Sequence, residues 1–499
     1  MNASRLPGLL LCVVSTALVL ALARPAAAVR PHKPILVQVT HNTVGQIWQP
    51  QIRSSRGDSV VFVSDGDVMG PGTETGHREV YYYDSESGTL SRVTNTADGE
   101  SYDATAETDD QHSGRPPVVV FISTGDLDPS VGNDDHNPEV FVWHSETGQT
   151  IQLTDTQPPV VNAEPYVSDS SRCIAFRSNA DLDDNDGSDA TNPGAGFDNL
   201  DGSDEIFNMR FPDTDFVGRV VTQVSNGPAG TISSHPAVGG FWFTRQCRST
   251  AYQSDHDHLG NGSTGLHIYN YTKTSGRVEQ VSMPGDGVNR NPSMSGASNF
   301  ARGPFVIFES NMDPMENGGS GSFEIFNYRL FKPLIGQFTL DSVDTANPVV
   351  ADGGGFVTFQ SRSELIDGSK KVKGGGTPPF NADGNQEIFR ADRFKKLAQL
   401  TRTENCENTD PTSRDTGRAT AFRSTCDLIP GHNPAGVAQV FHYWEVPRRD
   451  PIYLASNCLV SEACCNQNNG CYELILGKKS PRPRRNRTKP PWGVEGTFP

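Results

Sequence analysis

The sequence predicts an all-β protein: a seven-bladed β-propeller closed by an N-terminal outer strand, with a small Cys-rich C-terminal extension. Three observations carry that prediction. Seven times a short apolar run ends in an aromatic residue and, two places on, a serine; a polar loop rich in Asp, Asn and Gly follows; an acidic or polar residue before Val/Ile and Phe/Tyr then resumes the chain. The first halves are Phe62-Val63-Ser64, Phe121-Ile122-Ser123, Phe176-Arg177-Ser178, Tyr252-Gln253-Ser254, Phe308-Glu309-Ser310, Phe359-Gln360-Ser361 and Phe422-Arg423-Ser424. The second halves open at Glu79, Glu139, Glu205, His267, Glu324, Glu387 and Gln439. A four-stranded unit cannot bury both faces alone, so repeats of roughly 40 to 60 residues built from strands and turns imply radial packing.

Each repeat also needs an outer strand. Six follow their repeat core, at Leu90–Thr96, Ile151–Thr156, Val220–Asn226, Val278–Met283, Ile335–Leu340 and Leu397–Thr403. The seventh copy lies near the start of the chain, at Ile35–Thr40, and is expected to pair with the last core, which ends near Trp444. Such pairing protects the sheet edge at the seam. The 49 glycines and 35 prolines among 499 residues suit many short strands separated by turns.

The two ends read differently from the body. Residues 1–28, with Arg5, an apolar run from Leu9 to Ala23 and Ala26-Ala27-Ala28, read as a secretory signal peptide. The propeller is expected over 29–446, a Cys-rich knob over 447–477 and a basic, disordered tail over 478–499. That tail carries seven basic residues against Glu495, a net +6, so of the formal charge of −17 the rest of the chain holds −23. An acidic body disfavours nucleic acid as a partner. No second apolar stretch long enough to span a membrane follows the first, so export to the periplasm or beyond is expected.

After the signal region eight cysteines remain: Cys173, Cys247, Cys406, Cys426, Cys458, Cys464, Cys465 and Cys471. An even number in an exported chain argues for disulfides, and Cys173 with Cys247 and Cys406 with Cys426 are candidate bridges, although sequence does not fix connectivity. Zinc is the alternative for the last four, but no histidine accompanies them and the adjacent Cys464-Cys465 suits a tetrahedral site poorly.

The repeats resemble the WD40-like units of TolB-type β-propellers. The matching residues are Pro165–Asp169 before Cys173–Ser178, Pro348–Asp352 before Phe356–Ser361, and Pro411 before Ala421–Ser424. The resemblance runs from Arg30 to Val446 and implies the fold. Propellers of this type serve as binding partners, enzyme scaffolds and domains of peptidases, so it does not imply one activity. No N-terminal α/β domain of the TolB kind is evident.

Candidate chemistry lies in the loops after each serine. Asp126 and Asp128 stand in the second repeat; in the third, Asp181, Asp183, Asp184, Asn185 and Asp186 approach the alternating-oxygen pattern that suits calcium, with the glycine one place late. The recurring Ser and Asp equally suit turn-fixing bonds to backbone N–H groups. In the fourth repeat His256 and His258 are spaced to bind a transition metal or to act as acid and base. The absence of a Gly-x-Ser-x-Gly elbow argues against a prolyl-oligopeptidase-like hydrolase. These features lead to the expectation of an exported, noncatalytic propeller that binds a protein, peptide or glycan on its acidic loop face with calcium. The alternative is a metal-dependent propeller enzyme such as a polysaccharide lyase, using His256 or His258 with loop carboxylates.

Overall fold

The structure is a computed structural model that describes residues 34–445, except 53–58, 86, 108–116, 169–170, 183–198, 213–215, 242–244, 296–303, 317–320, 331–332, 352, 366–380, 393–395 and 415–418. The expected signal peptide, cysteine knob and basic tail therefore lie outside the described residues, as do Asp183, Asp184, Asn185 and Asp186.

Every regular element among the described residues is a strand. In chain order they are β1 Pro34–Gln38, β2 Ile47–Ile52, β3 Ser59–Ser64, β4 Glu79–Asp84, β5 Thr89–Arg92, β6 Ser101–Glu107, β7 Val118–Ser123, β8 Glu139–His144, β9 Thr150–Gln152 and β10 Asn162–Val167. Then come β11 Cys173–Ser178, β12 Glu205–Arg210, β13 Val220–Gln223, β14 Ser233–Phe241, β15 Arg245–Ser254, β16 Thr264–Thr272, β17 Arg277–Gln280, β18 Asp286–Met294 and β19 Phe305–Ser310. The last are β20 Glu324–Arg329, β21 Ile335–Gln337, β22 Thr345–Val350, β23 Phe356–Ser361, β24 Glu387–Asp392, β25 Leu397–Gln399, β26 Asn408–Arg414, β27 Ala419–Ser424 and β28 Gln439–Glu445.

They assort into antiparallel four-stranded units, β2–β5, β6–β9, β10–β13, β14–β17, β18–β21 and β22–β25, with β26–β28 completed by β1. The sequence halves sit as hairpins: Ser64 faces Glu79, Phe62 faces Tyr81, and the pattern repeats to Ser424 facing Gln439. The expected N-terminal outer strand is found, with Ile35 opposite Trp444. Among the described residues no sheet closes on itself. One connection was not foreseen: β16 and β18 pair in parallel through Thr264–Leu266 and Asp286–Val288, joining units four and five into an eight-stranded sheet. Gly265 permits this approach, since its φ is +92° and a Cβ there would stand 2.3 Å from the Gly287 carbonyl oxygen.

Burial follows from alternation. In all seven units two aromatics stack across the central pair of strands, from Phe62–Tyr81 at 5.6 Å between ring centroids to Phe308–Phe326 at 6.1 Å. These rings are core, as the alternation predicts. The serine at each strand end accepts the N–H two residues on, at 3.0–3.1 Å in every unit, which fixes the turn. Both expected disulfides, Cys173–Cys247 and Cys406–Cys426, are formed.

Candidate functional site

The innermost strands β2, β6, β10, β14, β18, β22 and β26 each slip register at the same place, between Trp48 and Gln51 in the first and between Thr409 and Thr412 in the last. Each slip holds one polar residue with positive φ, between 44° and 54°: Gln49, Asp103, Glu164, His235, Asn291, Asn347 and Asp410. Left-handed backbone at a residue other than glycine costs on the order of 1–3 kcal/mol and persists only where its surroundings enforce it. Here the enforcement passes from unit to unit. Glu164 N–H donates to Asp103 Oδ2 at 3.4 Å, and His235 N–H to Glu164 Oε2 at 2.6 Å. In the next three units the amide donates to the middle residue of the preceding unit's aromatic-x-serine triplet: Asn291 to Gln253 at 2.9 Å, Asn347 to Glu309 at 2.7 Å and Asp410 to Gln360 at 2.8 Å.

These seven side chains line one cavity of about 360 Å³, to which all seven innermost strands contribute. Its titratable groups are unlike one another. Glu164 Oε1 lies 3.4 Å from His235 Nδ1, while Arg177 approaches Glu164 at 3.7 Å and bonds Asp204 at 2.9 Å. Asp103 has no arginine bonded to it among the described residues, and burial pushes its carboxyl above the usual range, with the nearby Glu164 charge adding to the shift and the Glu164 N–H opposing it. Asp410 is paired with Arg423 at 3.1 Å. A carboxyl raised above its usual range and an imidazole held by a carboxylate, lining one cavity, are groups able to give and take protons.

The sequence-selected residues sit elsewhere. Asp128 is buried and fixes its own turn, its Oδ1 accepting Ser130 N–H at 3.1 Å and its Oδ2 Gln152 N–H at 3.0 Å; burial opposes its ionisation, but these bonds hold the carboxyl below the usual range. Asp126 and Asp181 are exposed. His256 and His258 do come together, 4.8 Å between ring centroids, but the carboxylate between them is engaged: Asp257 Oδ2 accepts Gly262 N–H at 2.7 Å and Oδ1 accepts Leu259 N–H at 3.2 Å. No group of three His, Cys, Asp or Glu able to hold a metal ion occurs among the described residues. The shared cavity therefore does not make a metal centre, and no chemistry is routed through an ion there. The signal that could have found the cavity is the Pro that follows six of its seven polar residues, as in Glu164-Pro165 and Asn347-Pro348; the residues themselves differ from unit to unit and carry no repeat signal.

No protein-family model and no curated protein matches the chain. Solved structures do. An oligogalacturonate lyase from Vibrio parahaemolyticus is 9% identical with a TM-score of 0.49, covering 84% of this chain and 99% of its own. An oligogalacturonate lyase in complex with manganese is 10% identical with a TM-score of 0.46, covering 84% and 98%. TolB from Acinetobacter baumannii is 11% identical with a TM-score of 0.35, covering 82% and 79%. At these identities the likeness concerns the all-β propeller fold alone. The noncatalytic binding role expected from sequence is corrected to this extent: two of the similar structures are lyases, so the fold does not by itself point to a noncatalytic binder. One of them is in complex with manganese, and nothing among the described residues singles out calcium.

Proposed function

We propose that the protein is a propeller enzyme that cleaves a polysaccharide by elimination, with its chemistry in the shared cavity. In this reading the seven units are blades of one closed ring, the cavity lies on its axis, and the two disulfides reflect folding in an oxidising compartment outside the cytosol. The observation that carries it is the convergence of Asp103, Glu164 and His235 from three successive units on one cavity of ligand size.

The roles follow from the geometry. Glu164 holds the His235 ring through Nδ1, leaving Nε2 to take the proton from the carbon next to a sugar carboxylate. As the C–H bond breaks, a C=C bond forms and the glycosidic C–O bond opens. Asp103, which holds its proton to higher pH than an exposed carboxyl, gives it to the leaving oxygen. Arg177 positions Glu164 and tempers the negative charge that a substrate carboxylate meets.

The test is a panel of uronate-containing and neutral glycans incubated with the full-length chain, with added manganese, added calcium or chelator. The readouts are the ultraviolet absorbance of an unsaturated product and the release of reducing ends. Absorbance should rise on a uronate polymer, and Asp103→Asn or His235→Gln should lower the rate by about 10²-fold or more. Cleavage of nothing on the panel, or cleavage indifferent to both substitutions, sinks the reading.

A further inference from the structure

Unit four departs from five of its six sister units at three neighbouring core positions at once, and from unit one, which carries Tyr81 in the second ring of its stack, at two. Four residues after the recurring serine the others carry Val68, Leu127, Leu182, Pro314, Leu365 and Leu428; unit four carries His258. Its stacked aromatic pair is Tyr252–Tyr269, where five units stack Phe on Phe at the same separation, so the stack does not require hydroxyls. The three exchanged side chains touch. The His258 ring stands edge-on to Tyr252 at 5.6 Å and to Tyr269 at 4.8 Å, and His256 stands edge-on to His258 at 4.8 Å.

The polar atoms gathered by these exchanges are buried without hydrogen-bond partners: His258 Nε2, Tyr252 Oη and Tyr269 Oη. The Asn226 carbonyl lies near the His258 ring and the His258 N–H near the Tyr269 hydroxyl, but neither contact closes into a hydrogen bond. Each orphaned group costs about 1–3 kcal/mol, and such clusters in native cores mark a water or an ion. An apolar residue and two phenylalanines serve the packing in five units, and unit one carries one phenol, Tyr81, whose hydroxyl is also buried without a partner; what sets unit four apart is an imidazole beside two phenols.

We propose that unit four binds one borderline divalent transition-metal ion, such as zinc, nickel or copper(II), through the imidazoles of His256 and His258. Imidazole is a favoured ligand for these ions, and the turn already fixes the pair: His256 N–H donates to Ser254 Oγ and His258 N–H to the His256 carbonyl, both at 3.1 Å. The tyrosines act from behind. Their hydroxyls, buried without partners beside the His258 ring, donate to a metal-bound water. The site stands apart from the shared cavity and does not depend on the activity assigned there.

The test is calorimetric titration of the full-length chain with zinc, nickel and copper(II), beside His256→Ala, His258→Leu and the double variant Tyr252→Phe/Tyr269→Phe. His258→Leu installs the residue its sister units use, and a melting curve in chelator checks that it folds. One ion per chain is expected, with affinity lowered at least about 100-fold by either histidine change and about 10-fold or more by the tyrosine pair. Binding unchanged in the histidine variants overturns the proposal. So does a wild-type chain that takes up no ion, which would leave a buried water as the occupant of the cluster.

Discussion

Glu387 is fully buried, yet its carboxylate receives the backbone N–H and hydroxyl of Thr403 at 2.6 and 2.8 Å and the side-chain amides of Asn385 and Asn408. Removing the acceptor in Glu387→Ala strands those donors and should cost on the order of 3 kcal/mol in a denaturant titration. Glu387→Gln should cost far less, because Gln439 fills the same place in the last unit, accepting from Thr40 at 2.7 Å. Burial pushes the Glu387 carboxyl up, against its hydrogen bonds. A raised acid favours the folded state below its unfolded pKa and loses that contribution as pH rises through the folded one, so the Gln variant should gain on wild type as pH climbs above 4.5. His258 has the opposite sign. Its ring is neutral in the fold down to about pH 4, whereas the unfolded chain takes up the proton near 6.5. Up to about 3 kcal/mol of stability should therefore be present above pH 6.5 and lost as pH falls toward 4, and His258→Leu should flatten that slope when unfolding is measured in chelator at both ends of the window.

The strand pairs were legible because their signals are local. A hairpin places Phe121 opposite Phe141 within one short stretch of chain, so alternation and a recurring serine suffice to find it. The register slips were not, because a bulge is set by what the strand packs against, and nothing in Thr409-Asp410-Pro411 by itself dictates a φ of 53° at Asp410. The disulfide between β11 and β15 was foreseen only as a candidate, yet it ties unit three to unit four across 74 residues. In the chain-entropy account a loop of that size is worth about 4 kcal/mol, so replacing Cys173 and Cys247 together by alanine should lower unfolding stability by about 2–5 kcal/mol in a denaturant melt. A loss below about 1 kcal/mol would mean that packing between the two units holds them without the bond.

At the scale of the whole molecule, β1 joins the two ends of the described chain. Its Ile35, Val37 and Val39 share a core with Val60 and Tyr81 of the first unit and with Ala421 and Trp444 of the last. Deleting residues 34–40 should strip β28 of its partner, leave an open edge and split a single thermal transition into separate steps followed by aggregation. A deletion variant that melts in one step at the wild-type temperature would assign the cohesion to contacts between neighbouring units.

Sequence alone determined the all-β class, the repeat and the pairing of β1 with the last core, and it offered the two cysteine bridges as candidates that the structure then closed. The class, the repeat and the pairing all rest on patterns that recur with a fixed period. Tertiary structure alone decided which residues share the cavity. Asp103, Glu164 and His235 lie about one repeat apart in sequence and share no residue type, and only radial packing brings them to one cavity. The acidic loops, conspicuous in composition, are where the described carboxylates Asp128 and Asp257 turn inward to satisfy the backbone of their own turns. A turn must bond its N–H groups whether or not a ligand is near, and a composition cannot tell that need from a site.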